Sequence, residues 1–121
     1  MQAVVFFPCV AGDPDEYTDD NLFNLEPFSR QISVAEPARS LVATILEGPV
    51  EADVGAVPLD TAFVTIGMIT ILNGVCRVSL QPAPEFEGFI SDLSRLALRE
   101  AITRTLVPLR TIDRVVVSVE M

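Results

Sequence analysis

The sequence predicts an α+β fold in which two helices pack on one face of a small, largely antiparallel sheet of mixed strand order. Three observations support this prediction. Short β-rich segments lie near both ends of the chain, an Asn-Gly pair typical of a hairpin turn lies between them, and two amphipathic helical segments separate the strands. With 121 residues, of which 50% are hydrophobic, the chain has enough apolar material for one core, and a single domain over residues 1–121 is expected.

The first strand is predicted over residues 2–10, because apolar side chains there occupy both faces. This pattern suits a strand that is buried on both sides or that lies in the centre of a sheet. Pro8 should mark its end, because proline donates no hydrogen bond to a ladder. An acidic connection follows over residues 11–25, and a short extended segment is expected around residues 28–32, where Phe28, Arg30 and Ile32 share one side.

The first helix is predicted over residues 37–47. Pro37 suits a first helical position, because its φ is preset and it has no N–H to leave unpaired. Gly48 supplies a left-handed C-terminal cap, and Pro49 prevents continuation. Between these ends the apolar side chains recur at helical spacing and form one stripe, which consists of Leu41, Val42, Ile45 and Leu46.

A loop over residues 51–60 and a hairpin over residues 62–80 are expected next. The hairpin turns at Asn73 and Gly74, both of which tolerate positive φ. On its second strand Cys76, Val78 and Leu80 alternate with polar residues, which predicts one buried and one exposed face. The last strand, over residues 114–121, should be half exposed by the same alternation, with Val115, Val117 and Val119 on one face.

The second helix is predicted over residues 89–107, before Pro108. Its inward side chains are expected to be Phe89, Leu93, Leu96, Ala97, Ile102 and Leu106. Its opposite side carries Arg95, Arg99, Glu100 and Arg104. The three arginines form either a partner-binding stripe or an ordinary solvated face in which Arg99 pairs with nearby acids, and the solvated face is favoured.

The ionisable residues argue against an enzyme. The chain contains no His, Lys or Trp, so it lacks the side chain that titrates near neutral pH and the amine of Schiff-base chemistry. We therefore expect no catalytic residue, no metal-ligand set and no cofactor. The net charge of −9, from seventeen acids and eight arginines, disfavours binding to nucleic acid and to membrane surfaces, which attract clustered cations. It favours a partner with a basic face, although an acidic surface is also an ordinary way for a protein to stay soluble.

Two acidic clusters suggest more specific chemistry. The first cluster consists of Asp13, Asp15, Glu16, Asp19 and Asp20, whose carboxylates offer oxygen ligands for Ca²⁺. The cluster lacks the glycine that an EF-hand loop requires, so a solvated loop is favoured. Glu85 and Glu87 flank Phe86 and are the residue type of a glycosidase pair. Acids just before a helix are also ordinary partners of its dipole, and this second interpretation is preferred.

Cys9 and Cys76 match no metal-binding spacing. Each lies in a predicted strand, where a buried thiol acts as a small hydrophobic side chain. Free buried thiols are therefore predicted first. A disulfide is the second interpretation and requires the two strands to be adjacent, and a reactive thiol is the third.

An ordered set of short motifs runs along nearly the whole chain. The motifs are Val-Val-Phe-Phe-Pro (4–8), Ser-Arg-Gln-Ile (29–32), Pro-Ala-Arg-Ser-Leu (37–41), Ile-Leu-Glu-Gly-Pro (45–49), Asn-Gly-Val (73–75), Arg-Val-Ser-Leu (77–80), Leu-Ala-Leu-Arg-Glu-Ala-Ile (96–102) and Ile-Asp-Arg-Val-Val-Val (112–117). In this order and at this total length, the chain resembles the GerMN domain of bacterial sporulation and spore-germination proteins. Arg30 and Arg39 belong to these motifs, and Arg39 is interpreted as structural.

The resemblance implies an extracytoplasmic bacterial module, often borne by a lipoprotein or placed beside cell-wall modules. It also implies a fold similar to the ring-building motif, no cofactor and no established active site. Membrane attachment would then come from a signal or lipid anchor outside this sequence, because no apolar stretch of these residues is long enough to span a bilayer as a helix.

Three functions follow as hypotheses. The first is a non-catalytic protein-interaction or assembly module that presents a sheet edge or helix face to an envelope protein or to a second copy. The second is a peptidoglycan-binding module, which needs exposed aromatic side chains, and these are limited to Tyr17 and seven Phe, most of them expected in the core. The third, a hydrolase acting through Glu85 or Glu87, is the least favoured.

Overall fold

The computed structural model describes residues 1–9, 24–59, 61–84 and 91–119 of the chain. The elements in these residues are, in chain order, β1 (Gln2–Pro8), β2 (Leu25–Gln31), α1 (Pro37–Glu47), β3 (Val64–Leu72), β4 (Val75–Pro82), α2 (Asp92–Leu106) and β5 (Arg114–Val119). Their order and their mostly antiparallel pairing confirm the predicted α+β fold class.

The strands divide into two sheets, where the sequence had suggested one. β1 and β2 form an antiparallel pair, and the second sheet has the order β3-β4-β5. Within the second sheet β3 and β4 are antiparallel, whereas β4 and β5 are parallel because α2 connects them as a crossover. Helix α1 contacts β1 and β3, and α2 contacts β1 and β5. The two helices therefore hold both sheets around one core.

Strand β1 pairs with β2 along its whole length, and only at its C-terminal end does it gain a second neighbour, where the Pro8 carbonyl accepts the backbone N–H of Val57 at 2.8 Å beside the bridge between Cys9 and Ala56. It is therefore not a central strand over its full length. Its side chains still have the expected two-sided character, because Val5 and Phe7 are fully buried and Val4 and Phe6 are half-buried. The backbone N–H of Phe6 donates a hydrogen bond to the hydroxyl of Thr105 at 3.1 Å, which gives this buried side chain of α2 a partner and ties β1 to the helix.

Helix α1 has both of its predicted ends, whereas α2 begins later than the predicted residues 89–107, because Ser91 is extended and the helix spans Asp92–Leu106. Helix α1 spans Pro37–Glu47 as expected, and Gly48 follows it with φ of 92°, in the left-handed region that favours glycine. Helix α2 begins after Ser91, whose side chain accepts a hydrogen bond from the backbone N–H of Ser94 at 3.1 Å. Residues 85–90, which include the predicted first residues of this helix, lie outside the described residues.

The buried face of α2 differs from the predicted one. The side chains that it buries recur at i, i+1, i+4 and i+5, and they are Ala97, Leu98, Ala101, Ile102, Thr105 and Leu106. The prediction that Leu96 points inward is wrong, because this side chain is 50% exposed. Arg95, expected on the solvated side, is half-buried. The stripe is set by packing on two sheets, and Leu96 lies about 100° around the helix from Ala97, outside that stripe.

The hairpin of β3 and β4 forms as predicted, with φ of 52° at Asn73 and 79° at Gly74. Cys76, Val78 and Leu80 are buried, and the alternation in β5 is confirmed by burial of Val117. Cys9 and Cys76 are both free thiols; Cys76 is buried as predicted, whereas Cys9 is only half-buried. Burial raises the pKa of the Cys76 thiol, which keeps it in the unreactive protonated form.

A buried ion pair connects β2 to the loop after α1. The guanidinium of Arg30 donates two hydrogen bonds to the carboxylate of Asp53, one of them 2.8 Å long. The same carboxylate accepts the backbone N–H of Val50 at 2.9 Å, and the guanidinium carbon lies 5.9 Å from the ring centroid of Phe7. The hydrogen bonds from Arg30 lower the pKa of Asp53 below its ordinary value, in opposition to burial. The pair therefore fixes the loop against the first sheet.

Replacing leucine with alanine at two positions of α2, one buried and one exposed, should change the free energy of unfolding by different amounts. We expect Leu98→Ala to lower the free energy of unfolding by about 3 kcal/mol, because it leaves a cavity in the core. Leu96→Ala should change it by less than about 0.5 kcal/mol. Urea denaturation of both variants measures the difference. Equal losses would contradict the observed orientation of the helix.

Protonation of Asp53 should remove the stabilisation that its ion pair provides. Because the pKa of Asp53 is lowered in the folded state, its contribution is complete above the unfolded value of about 3.9 and declines as the pH falls through the folded value. We expect Asp53→Asn to cost about 3 kcal/mol at pH 7, since it leaves Arg30 without its charged partner. At a pH of about 2 the deficit relative to wild type should be smaller.

Denaturant unfolding at both pH values measures this difference. Glu51→Gln is the matched control, because Glu51 is exposed in the same loop, and it should stay within about 0.5 kcal/mol of wild type. A deficit of the Asp53 variant that is the same at both pH values would show that the ionised carboxylate is not the source of the stabilisation.

Candidate functional site: the groove between α2 and β5

Strand β5 is an edge strand of the second sheet within the described residues, and after Arg114 it is uncharged. Within the described residues the order β3-β4-β5 leaves β3 and β5 at the edges of the second sheet. The register of β3 is interrupted between Ile66 and Met68, and such a bulge disfavours pairing with another chain. Residues 115–119 of β5 read Val-Val-Val-Ser-Val, without charge or proline, and pair with β4 without interruption. β5 is therefore the edge better suited to receive another strand.

A groove of about 500 Å³ runs beside this edge. Residues 117–119 of β5 form one wall, and Asp92, Arg95, Leu96 and Arg99 from the first turns of α2 form the other. The groove exists because the buried stripe of α2 faces β1 and the core, which leaves Leu96 and the two arginines directed elsewhere. The half-exposed Leu96 and the half-buried Val119 give the groove an apolar part.

The two arginines of the groove are incompletely paired. The guanidinium of Arg99 has no hydrogen bond or ion pair with any described residue. Arg95 lies 3.6 Å from a carboxylate oxygen of Asp92, but Asp92 is almost fully exposed and such a surface pair contributes little. The Nε atom of Arg95 is buried without an acceptor among the described residues. Both guanidinium groups therefore retain capacity to bind an anionic group.

The predicted arginine stripe on α2 is divided by the structure. Arg95 and Arg99 line the groove, whereas Arg104 pairs with Glu100 at 3.8 Å and lies outside it. The expected pairing of Arg99 with a neighbouring acid is not found within the described ranges. Leu96 lies in the groove and not in the core, where its apolar character had predicted it.

The groove is locally cationic on a chain whose net charge is −9. Two arginines, Arg95 and Arg99, line it against one aspartate, Asp92.

The other candidate residues are not brought into this groove. The acids of residues 13–20, Tyr17, Glu85 and Glu87 lie outside the described residues. Arg30 is occupied by Asp53, a partner that sequence analysis did not identify. Arg39, interpreted as structural, is exposed and takes part in no hydrogen bond or ion pair with a described residue; it lines a smaller groove of about 260 Å³ with Ile69 and Ile71.

The described residues contain no group of three or more potential ligand side chains placed to hold a metal ion. Neither helix among them has the length and apolar character needed to cross a membrane. Comparison of the chain with protein-family models, curated proteins and solved structures found no match. The resemblance to the GerMN family therefore stays a prediction. What the groove combines is an open strand edge, an apolar wall and two arginines, which together suit the binding of an extended peptide.

Proposed function

We propose that this protein is a non-catalytic interaction or assembly module that binds an extended segment of another protein along β5. The observation that carries the proposal is the edge of β5, which is unpaired within the described residues, beside the groove. A segment added there would continue the second sheet as a fourth strand. Its backbone would pair with the free edge of β5, and alternate side chains would enter the groove.

The physical contributions to such binding are of two kinds. Main-chain hydrogen bonds to the edge contribute about 0.5–1.5 kcal/mol each and do not depend on the side chains of the partner. Contacts with Leu96 and Val119 add apolar burial at about 25 cal/mol per Å² and depend on the side chains that enter the groove. The first contribution provides general affinity, and the second provides selectivity.

The resemblance to the GerMN family supports an extracytoplasmic location in bacteria and a partner in the cell envelope. We accordingly propose that the module acts outside the cytoplasmic membrane, attached through a part of the protein beyond these residues. An assembly role is consistent with the lack of His and Lys, which removes the commonest acid–base and Schiff-base chemistry.

Selection from an unbiased library of displayed nine-residue peptides on the full chain tests this proposal. We expect peptides that bind with micromolar affinity and that lose about tenfold or more in affinity for Leu96→Asp, because a carboxylate on the groove wall disrupts the apolar contact. Fluorescence anisotropy with the synthetic peptides measures the change.

The matched control is Met68→Asp, which places the same charge at another exposed apolar side chain, on β3 and away from this groove. This variant should bind the selected peptides as wild type does. Failure to select any binding peptide, or equal binding by wild type and Leu96→Asp, would refute the assignment of β5 and its groove as the binding site.

A further inference from the structure

We infer that the groove recognises an acidic strand, namely a partner segment with carboxylate side chains at two alternate positions that bind Arg95 and Arg99. This inference rests on the proposed addition of a strand to β5 and adds the chemical class of the segment. Its basis is the match between the spacing of the two arginines and the spacing of side chains in an extended chain.

The spacing of the two arginines suits a strand. They lie four residues apart in α2, so their Cα atoms are separated by about 6 Å along the helix axis. Side chains on one face of a strand recur every two residues, at about 6.6–6.8 Å. The side chains of an added strand that face the helices would lie on the same side as Val117 and Val119 of β5. Two acids at alternate positions would therefore lie opposite Arg95 and Arg99.

The electrostatics of the groove favour a carboxylate over a neutral side chain. Arg99 has no charged partner among the described residues, and the partner of Arg95 is the solvent-exposed Asp92. A guanidinium binds a carboxylate through two parallel hydrogen bonds, which are shorter and stronger than bonds between neutral groups. The two arginines of the groove outnumber its one aspartate, so an acidic segment meets local positive charge there, although the whole chain carries a net charge of −9.

The adjacent strand edge selects a peptide as the anionic ligand. Phosphates of nucleic acids and of lipids also bind arginine, but they cannot pair with the backbone of β5. The six residues of β5 offer a ladder for a short extended segment, and the groove accompanies its second half, residues 117–119. Backbone pairing and carboxylate binding therefore occur together only for an acidic polypeptide.

Binding of three synthetic nine-residue peptides to the full chain tests the inference by fluorescence anisotropy. The first has glutamates at positions four and six and threonine or valine elsewhere; the second has glutamines at those two positions; the third has glutamates at positions four and seven. We expect the first peptide to bind about tenfold more tightly than the other two, with a preference that weakens as salt is raised.

The arginine variants provide the second part of the test. Arg95→Gln and Arg99→Gln should each reduce the preference for the first peptide, and the double variant should remove it. Arg104→Gln is the matched control, because Arg104 lies on the same helix outside the groove, and it should keep the preference. A denaturation curve that matches the wild-type curve shows that a variant is folded. A preference that persists in the double variant would overturn the inference.

N-methylation of alternate peptide amides separates failure of this inference from failure of the proposed function. In an added strand, alternate N–H groups face β5. Two peptides are therefore compared, one methylated at odd-numbered amides and one at even-numbered amides, and only one of these two methylation patterns should abolish binding. If the glutamine peptide binds as tightly as the glutamate peptide, and one of the two methylation patterns still abolishes binding, then strand addition stands and the acidic preference is wrong. If neither methylation pattern reduces peptide binding, strand addition itself is wrong.

Analytical ultracentrifugation of the protein alone measures its mass in solution and so tests whether a second copy of the chain occupies the groove. We expect a monomer at micromolar concentration in both wild type and the double arginine variant. A wild-type dimer that dissociates in the double variant would assign the groove to a second copy of the chain and overturn the inference of a separate acidic partner.

Discussion

Burial of α2 against two separate sheets is the constraint on which the remaining structure depends. Leu98, Ile102 and Leu106 are fully buried, and the hydroxyl of Thr105 binds the backbone of β1. Because the same helix connects β4 to β5, its position determines that β5 is parallel to β4 and lies at an edge. The position of this one crossover helix, which covers two sheets at once, therefore determines both the core and the place of β5 at the edge of its sheet.

The candidate site consists of what this packing leaves uncovered. A helix has one face for the core, and α2 uses that face for small and branched side chains that approach the strands closely. Leu96, Arg95 and Arg99 fall outside it and lie beside the edge of β5. An exposed leucine beside a strand edge that is unpaired within the described residues is the combination on which the proposed binding of an extended segment rests.

Local patterns predicted the elements well and their side-chain environments less well. The bounds of α1 follow from Pro37 and Gly48, and the hairpin follows from Asn73 and Gly74, because each of these residues restricts or permits particular backbone angles without help from distant contacts. Leu96 was assigned to the core from its hydrophobicity alone. The burial of Asp53 gave no signal in the sequence, since an acid in a polar loop is ordinarily exposed.

The sequence by itself determined the fold class, the bounds of α1, the position of the hairpin and the scarcity of side chains for acid–base chemistry, since all of these depend on composition and short-range backbone preferences. Only the tertiary structure decided that the five strands of the described residues form two sheets, that Arg30 pairs with Asp53 across 23 positions of the chain, that Cys9 and Cys76 stay free, and that Arg95 and Arg99 line a groove beside an edge strand. Those features depend on which distant surfaces pack together, and a local pattern of apolar and polar residues is compatible with several such packings.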